Sequence, residues 1–237
     1  MREVVTEVFT EIGNRCRSGR PADESTIQRG IVDAFAARGL VTHHPPIAAA
    51  GPHIADPHYA TPAAGGRPLG AGEFVLIDLW AKEPAGVYAD ITSTGYVGAE
   101  VSSRHAEVFD VVRAARDAGV DTAREALANG AVIRGCDVDA AVRAAIDRAG
   151  FGAYFVHRTG HSIGVEVYGN GANIAGFETP DTRRLLPGTC FSIEPGVYLP
   201  GEFGIRSELN AFVDGRALLV TGQPLQMAVV PILGHPT

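Results

Sequence analysis

Two pairs of acidic residues, each placed symmetrically about a turn, constrain the fold of this chain more than any other feature of its sequence. Asp78 and Asp90 lie in neighbouring strand-like runs, and Glu194 and Glu208 repeat the arrangement later in the chain. The midpoints of the two pairs are turn-forming residues, Pro84 and Gly201. A hairpin centred on each midpoint would place the two acids of a pair directly opposite each other on adjacent strands.

Opposed acids of this kind require a positive partner. Like charges that face each other across a β-ladder destabilise it, and a lone carboxylate inside the apolar run 74–80 is costly to bury. His157 and His161, in the sequence His-Arg-Thr-Gly-His, add candidate imidazole ligands. Carboxylates together with an imidazole predict a site for two divalent metal ions that share bridging groups. The alternative, in which each acid is merely hydrogen-bonded or caps a helix, accounts for any single acid but not for two symmetric pairs.

The predicted secondary structure repeats once along the chain. Apolar residues at helical spacing predict helices over 2–19, 24–38, 104–127 and 138–149, the last with Asp137 as its N-cap. Apolar and β-branched runs predict strands over 74–80, 87–92, 190–199 and 205–213. Two helices and a hairpin are thus followed by two more helices and a second hairpin. We expect an α+β fold made of two related halves.

Charge and composition exclude several classes of function. The net charge of −7 repels a phosphate backbone, so nucleic acid is not an expected partner. The 3 cysteines are isolated in sequence and form neither a disulfide framework nor a paired-cysteine zinc site. No apolar run is long enough to span a membrane, and the first residues lack the pattern of a signal peptide. These observations predict a cytoplasmic protein without a membrane partner.

Six sequence blocks, in a fixed order, resemble the pita-bread metallopeptidases, the family of methionine aminopeptidase, aminopeptidase P and prolidase. The blocks lie at 51–59 (ending in Pro-His-Tyr), 76–78 (Leu-Ile-Asp), 89–92 (Ala-Asp-Ile-Thr), 159–164 (Thr-Gly-His-Ser-Ile-Gly), 192–196 (Ser-Ile-Glu-Pro-Gly) and 204–208 (Gly-Ile-Arg-Ser-Glu). The resemblance implies a pita-bread fold, in which residues 1–237 form a single catalytic domain of two pseudo-symmetric halves with a curved antiparallel sheet covered by helices. It also implies five metal ligands, Asp78, Asp90, His161, Glu194 and Glu208.

Two residues make the chain similar to the aminopeptidase P and prolidase branch of that family. They are His157, four residues before the implied ligand histidine, and Arg206, two before the last implied glutamate. The branch implies hydrolysis of a peptide bond that precedes proline, by a hydroxide that bridges two divalent ions. The carboxylate-rich, thiol-free ligand set favours Mn2+, with Co2+ or Fe2+ as alternatives. The resemblance implies Glu194 as the general base, His58 and His157 as residues that hold substrate or transition state, and Arg206 as a residue that orders the carboxylates.

The sequence departs from this family in two respects. The family has a second histidine seven residues after the ligand histidine, where this chain has Tyr168. A phenol donates a hydrogen bond but does not readily carry positive charge near neutral pH, so we expect the change to affect substrate handling rather than metal binding. Aminopeptidase P and prolidase relatives usually carry an additional N-terminal domain that this sequence does not show, so we expect a fragment or an isolated domain. The oligomeric state is open, with a homodimer as one alternative.

Two other functions fit parts of the sequence. The run Gly-His-Ser-Ile-Gly at 160–164 satisfies the nucleophile-elbow pattern of serine hydrolases, and Ser162, Asp214 and His235 follow the order of that class. An elbow lies between a strand and a helix, however, and the glycine-rich segment after Ser162 is not typical of a helix. The second alternative is a pita-bread module that binds a peptide or protein without cleaving it. Tyr168 favours this alternative and the complete ligand set opposes it.

Overall fold

The computed structural model describes residues 1–234 and contains four α-helices and ten β-strands within them. The helices are α1 (Arg2–Arg17), α2 (Glu24–Ala37), α3 (Ser103–Ala128) and α4 (Gly135–Arg148). The strands are β1 (Ile47–Ala50), β2 (Phe74–Ala81), β3 (Ala89–Tyr96), β4 (Ser162–Ile163), β5 (Cys190–Ile193), β6 (Gly196–Leu199), β7 (Phe203–Arg206), β8 (Leu209–Asp214), β9 (Ala217–Val220) and β10 (Val230–Pro231). Two short 3₁₀ helices cover Gly51–Ala55 and Gly152–Tyr154.

The strands form two four-stranded sheets and a two-stranded ribbon. The first sheet has the order β1-β2-β3-β10, the second has the order β4-β5-β8-β9, and β6 pairs with β7 in the ribbon. Every pairing is antiparallel except that of β10 with β3. The two sheets meet where Asn210 of β8 reaches Asp90 of β3. The Asn210 amide accepts from the Asp90 backbone N–H at 2.9 Å and donates to the Asp90 carbonyl at 2.7 Å.

The helices cover the sheets with one apolar face each, because their apolar residues recur at helical spacing. The first half buries α1 and α2 against β1, β2 and β3 through a cluster that includes Val4, Val8, Ile12, Ile27, Ile31, Phe35, Val75, Ile77 and Leu79. The second half buries α3 and α4 against β5 and β8 through a cluster that includes Val120, Ala123, Leu127, Val138, Phe191, Ile193, Leu209, Ala211 and Val213. The helices α3 and α4 also pack against β2 and the ribbon of β6 and β7 through a cluster that includes Val108, Phe109, Val142, Phe74 and Ile205. The predicted arrangement of two helices and a sheet in each half is therefore present. Among residues 1–234, no helix combines the length and the apolar character that crossing a bilayer requires.

The first hairpin has a different register from the one predicted. A hydrogen bond of 2.8 Å between residues 83 and 86 closes its turn. Pro84 occupies the second position of that turn, where a fixed φ near −65° is favoured, instead of the centre of the hairpin. Asp78 consequently pairs with Thr92, and Asp90 lies two residues before Thr92 on the same strand. The predicted direct opposition of Asp78 and Asp90 is wrong, but side chains alternate with a period of two, so both acids still share one face.

The second hairpin has the predicted register, but its two strands are not continuous as predicted. Gly201, with a φ of +78°, follows Pro200 in the turn and is the centre of both ladders. Each long strand of the prediction is broken in two, into β5 and β6 on one side and β7 and β8 on the other, and the breaks contain Glu194 and Glu208. The Glu194 backbone N–H bonds outside the hairpin, to the Thr159 carbonyl at 2.7 Å. Both acids therefore lie where the strands change partners.

The start of α4 also differs from the prediction. The N-cap is Arg134, and Asp137 is the third helical residue. From that position the Asp137 carboxylate accepts a hydrogen bond from the Arg134 backbone N–H at 2.9 Å, which is the returning half of a capping box. The predicted helix began three residues late because an aspartate before an apolar run is equally typical of an N-cap and of the first helical turn.

Candidate metal centre

The predicted ligands converge where the two sheets meet. Asp78 and Asp90 share one face of β2 and β3, Glu208 immediately precedes β8, Glu194 immediately follows β5, and His161 immediately precedes β4. One oxygen from each of Asp78, Asp90 and Glu208 lies within 4.8 Å of the other two, and all three residues are buried. His161 joins the two other predicted ligands to this group: its Nε2 is 3.4 Å from Asp90 Oδ2 and 3.5 Å from Glu194 Oε1.

Donors from the protein do not satisfy the acidic group. Glu208 Oε1 is buried and has no hydrogen-bond partner among residues 1–234. The Thr92 hydroxyl lies 2.8 Å from Glu208 Oε2 and 3.2 Å from Asp78 Oδ1, and with a single proton it donates to only one of them at a time. Arg206 donates to Asp78 and to the Thr92 hydroxyl. A buried carboxylate oxygen without a donor is costly, so this group of residues fits an additional cation.

The electrostatics of the acids agree with that conclusion. Burial raises the pKa of Asp78 to about 7, and the charges of Asp90 and Glu194 act in the same direction against the opposing effect of Arg206. Burial and the same neighbouring charges raise the pKa of Glu208 well above its ordinary value. Without an ion the site therefore tends to keep protons on its carboxyl groups. A divalent cation would be the largest local charge and would favour the ionised form of each acid.

His161 directs its Nε2 at the acids. Its Nδ1 lies 3.1 Å from the Ser162 backbone carbonyl, which can only accept, so Nδ1 carries the hydrogen of the neutral ring. Nε2 faces Asp90 and Glu194, so without an ion it tends to hold a proton between the carboxylates, and a bound cation would take the place of that proton. Burial lowers the pKa of His161, but hydrogen bonding to Asp90 and the charge of Glu194 raise it by more. A ring held by a backbone carbonyl at one nitrogen, with the other nitrogen towards carboxylates, is the usual arrangement of a metal-binding histidine.

The side chain of Glu194 is more exposed than those of the other predicted acidic ligands. It is 16% exposed, against 10% for Asp78 and 7% for Asp90, and Glu208 is buried. Its Oε1 accepts from the Ser192 hydroxyl at 3.0 Å, and its Oε2 lies 3.9 Å from Arg206 Nε. A carboxylate with this access can exchange a proton with a molecule in the adjacent cavity.

That cavity has a volume of about 310 Å³. Its lining contains all of the residues predicted for the site except Glu208, namely His58, Asp78, Asp90, His157, His161, Tyr168, Glu194 and Arg206. Glu208 contacts the same group from a buried position. The structure thus gathers the whole predicted set around one cavity and the acidic group beside it.

His157 is held by two hydrogen bonds. Its Nδ1 lies 2.7 Å from the Arg158 carbonyl, and its Nε2 lies 2.7 Å from the Tyr198 hydroxyl. Burial lowers the pKa of His157 to about 4, so the ring is neutral near pH 7. The carbonyl fixes the hydrogen on Nδ1, and Nε2 therefore accepts from Tyr198. Arg206 Nη1 contacts the same Tyr198 oxygen at 3.3 Å, which links His157 to the arginine beside the acids.

Tyr168 lies over the implied ligand histidine. Its ring centre is 4.7 Å from that of His161 in an edge-on contact, and the residue is 65% exposed. Arg158 and Tyr168 both line the cavity, and the guanidinium carbon of Arg158 is 5.5 Å from the centre of the Tyr168 ring. The residue that departs from the family pattern is therefore at the mouth of the cavity, in the place where a bound molecule would pass.

Three residues that matter to this site were not singled out from the sequence. Thr92 donates within the acidic group, Tyr198 joins His157 to Arg206, and Asn210 joins the two sheets beside Asp90. Thr92 could have been found, because it lies two residues after Asp90 on a strand and thus faces the same side. Tyr198 contacts His157, 41 residues away in sequence, and Asn210 contacts Asp90, 120 residues away, and the sequence carries no local signal for such contacts.

The serine-hydrolase alternative is not supported by the described residues. Ser162 is 3% exposed, and its hydroxyl accepts from the Gly171 backbone N–H at 2.9 Å. It lies in the short strand β4, which is followed by irregular structure instead of the helix that a nucleophile elbow requires. Asp214 is the last residue of β8, and His235 lies outside the described residues.

Comparison with known proteins identifies the class. Residues 1–214 match the model of metallopeptidase family M24. A probable dipeptidase PepE from Mycobacterium bovis is 36% identical over 211 residues, which cover 88% of this chain and 52% of that protein. An Xaa-Pro dipeptidase from Lactobacillus delbrueckii subsp. lactis is 34% identical over 167 residues, which cover 68% of this chain and 40% of that protein. The crystal structure of an X-Pro aminopeptidase from Thermotoga maritima superimposes with a TM-score of 0.80 at 28% identity, over 96% of this chain and 60% of that chain.

The chain belongs to metallopeptidase family M24. The predicted α+β pita-bread fold is confirmed, and so is the predicted resemblance to the Xaa-Pro dipeptidase and aminopeptidase P branch. The chain spans about half the length of the curated relatives it matches.

Proposed function

We propose that this chain carries the catalytic site of a peptidase that uses two divalent ions to hydrolyse the bond before proline in small peptides. The observation that carries the proposal is the buried group of Asp78, Asp90 and Glu208, whose oxygens converge within 4.8 Å and leave Glu208 Oε1 without a donor among residues 1–234. The names of relatives that specify Xaa-Pro dipeptidase and X-Pro aminopeptidase support the substrate class.

The donor set fits hard or borderline divalent ions. We assign the ligand role to Asp78, Asp90, His161, Glu194 and Glu208, which offer carboxylate oxygens and one imidazole nitrogen. Among the described residues 1–234, no thiol lines the cavity, and this composition favours Mn2+, with Co2+ or Fe2+ as alternatives. When bound, such ions polarise a peptide carbonyl as Lewis acids and lower the pKa of water towards neutrality.

Glu194 is placed to move the proton of the reaction. Water attacks the scissile carbonyl carbon, the carbon–nitrogen bond breaks, and one proton must pass from the water to the leaving nitrogen. Glu194 borders the cavity, and its side chain keeps 16% of its surface accessible, so its carboxylate can accept the proton from water and return it to the nitrogen.

His157, Arg206 and His58 have different proposed tasks. Neutral His157 lines the cavity, where it can hold substrate or transition state as expected, and it accepts from Tyr198 and so orients that hydroxyl as well. Arg206 orders Asp78 and Thr92 through hydrogen bonds. His58 is exposed on the cavity lining, where it can contact the substrate carbonyl as negative charge develops on it.

The cavity also suits a proline residue. Ile47, Trp80 and Val167 give its wall an apolar component that a pyrrolidine ring can contact. A peptide bond to proline has no N–H, so its nitrogen needs no acceptor from the protein.

One observation favours the binding-module alternative. The Tyr168 ring rests against His161 at the cavity mouth, in place of the second histidine of the family pattern. A module of this kind would take up the same ions and peptides but would not turn the peptides over.

Turnover of defined peptides separates the two functions. The chain, loaded with Mn2+ and checked for ion content, is assayed with Ala-Pro, with Ala-Ala and with a longer peptide that has proline second. We expect hydrolysis that requires Mn2+ and prefers proline, with Glu194→Gln losing at least about a hundredfold in kcat. Glu202→Gln, in the exposed turn between β6 and β7, is the matched control and retains activity. An ion-loaded protein that cleaves none of these peptides would favour the binding module.

A further inference from the structure

Glu24 is a fully buried acid outside the cavity. It is the first residue of α2 and is 0% exposed. Buried carboxylates are costly unless several donors reach them. The Glu24 oxygens accept from the backbone N–H of Ala50 at 2.8 Å, the backbone N–H of Arg67 at 2.8 Å, the Tyr59 hydroxyl at 2.6 Å and His53 Nδ1 at 2.9 Å. All four donors belong to one stretch of chain, residues 50–67.

These contacts close residues 50–67 into a loop. Ala50 and Arg67 are its two ends, and a single carboxylate binds the backbone of both. The Glu24 backbone N–H also donates to the Arg67 carbonyl at 3.1 Å. Gly66 passes close to the same carboxylate with a φ of +99°, and a Cβ there would lie 2.5 Å from Glu24 Oε2. The carboxylate thus joins the two ends of an 18-residue segment, next to the backbone hydrogen bond from Ser25 to the Gly65 carbonyl.

The closed loop forms part of the cavity wall. It carries Pro57, His58 and Tyr59, all of which line the cavity. It also packs tightly against β7, because a Cβ on Gly204 would lie 2.2 Å from the Ile54 carbonyl oxygen. Arg206 follows two residues later on β7, so the loop is docked between Glu24 and the strand that leads to the acidic group.

A role of Glu24 in α2 alone does not explain these contacts. Asp23 is the N-cap of α2, and its side chain accepts from the Thr26 backbone N–H at 2.8 Å. The helix start is therefore already capped, and the Glu24 side chain bonds entirely to the distant loop.

We propose that Glu24 is a positioning residue that holds residues 50–67 closed and thereby sets His58 in the cavity. It does not line the cavity, and its effect passes through the loop. This inference rests on the proposed function for its kinetic consequence, but the closure of the loop is measurable without any activity.

Glu24→Gln tests the hydrogen bonds between Glu24 and the loop with a nearly isosteric change. Ala50 N–H bonds one oxygen and Arg67 N–H bonds the other. An amide keeps only one acceptor oxygen, so in either orientation one end of the loop loses its partner and faces an NH2 group. Glu3→Gln, an exposed glutamate in the first turn of α1, is the matched control for any effect on a helix N-terminus.

Hydrogen exchange is the first readout. In Glu24→Gln we expect amides within 50–67 to exchange about tenfold faster or more, and amides of β2 and β3 to keep the parental rates. His53→Ala removes one donor and keeps both backbone contacts, so it gives a smaller increase and serves if the glutamine variant does not fold. Parental exchange throughout 50–67 in the folded variants would overturn the proposal.

A double-mutant cycle with His58→Ala is the second readout. With Mn2+ bound, we expect Glu24→Gln to lower kcat/KM for Ala-Pro by roughly tenfold to a hundredfold in the parent, but by less than about threefold when His58 is already alanine. The same factor in both backgrounds, or no effect of His58→Ala, would refute the positioning of His58. If the parent is inactive with both ions bound, the proposed function fails, and hydrogen exchange still decides whether Glu24 closes the loop.

Discussion

Ion-free protein should lose stability as the pH rises, because the acidic group then ionises without a counter-charge. The perturbation is Asp78→Asn, compared with the parent at pH 5 and at pH 8. The pKa of Asp78 is raised to about 7 in the folded chain, from an ordinary value of 3.8. The folded chain therefore holds a proton that the unfolded chain releases. Stability from this group is fully present below about pH 4 and is lost as the pH rises through about 7.

The size of the effect follows from that difference in pKa. Each pH unit between the unfolded and folded pKa values costs about 1.4 kcal/mol. Between pH 5 and pH 8 the loss amounts to about 3 kcal/mol in the free energy of unfolding. The amide of the Asp78→Asn variant cannot ionise, so this variant should gain about 3 kcal/mol relative to the parent over this interval. The attraction of Arg206 acts on the ionised form of Asp78, so it is already contained in the pKa of about 7 and adds no separate contribution to the difference.

Urea unfolding of stripped protein measures this difference directly. Asp110→Asn, at an exposed position of α3, is the matched control and should show no comparable change with pH. Saturating Mn2+ should abolish the destabilisation at pH 8, since an ion that binds only the folded state stabilises it by mass action. An ion-free difference between parent and Asp78→Asn that is the same at pH 5 and pH 8 would refute the reasoning.

Two further predictions concern residues beside the acids. Asn210→Leu removes both hydrogen bonds to the Asp90 backbone, so two buried polar groups lose their partners. We expect the free energy of unfolding in urea to fall by about 2–5 kcal/mol. A fall of less than about 1 kcal/mol would show that the contact between the sheets does not depend on these hydrogen bonds. Tyr168→His restores an imidazole at the cavity mouth and should raise turnover of Xaa-Pro dipeptides by roughly tenfold or more over a slow parent. A fast parent that Tyr168→His slows would instead make Tyr168 an adapted substrate-contacting residue.

The sequence predicted the second acidic pair more accurately than the first for a physical reason. In the second hairpin Gly201 has a positive φ, and a turn of that kind fixes the register about the glycine. In the first hairpin Pro84 fixes only its own φ and is compatible with several loop lengths, so the midpoint was off by one residue. The shared face of Asp78 and Asp90 survived because the error moved the pairing by an even number of residues.

Contacts between segments that are distant in sequence could not be predicted from the sequence. The break of each strand at Glu194 and Glu208 results from pairing with other segments, such as the bond from Glu194 to Thr159. The buried contacts of Glu24 join α2 to residues 50–67, and no local pattern encodes them. Helix spans and ligand identity depend on local periodicity and residue chemistry, whereas these contacts depend on packing between segments distant in sequence.

The ion content of the Glu208→Ala variant tests the central claim most directly. Glu208 contributes to the buried acidic group, and its Oε1 has no other partner among residues 1–234. Parent protein, stripped and reloaded with Mn2+, should bind two ions per chain by elemental analysis, and Glu208→Ala should retain at most one with unchanged circular dichroism. Glu202→Ala, at an exposed position in the neighbouring turn, should match the parent. Equal ion content in Glu208→Ala and the fully loaded parent would contradict the assignment of this group as a metal centre.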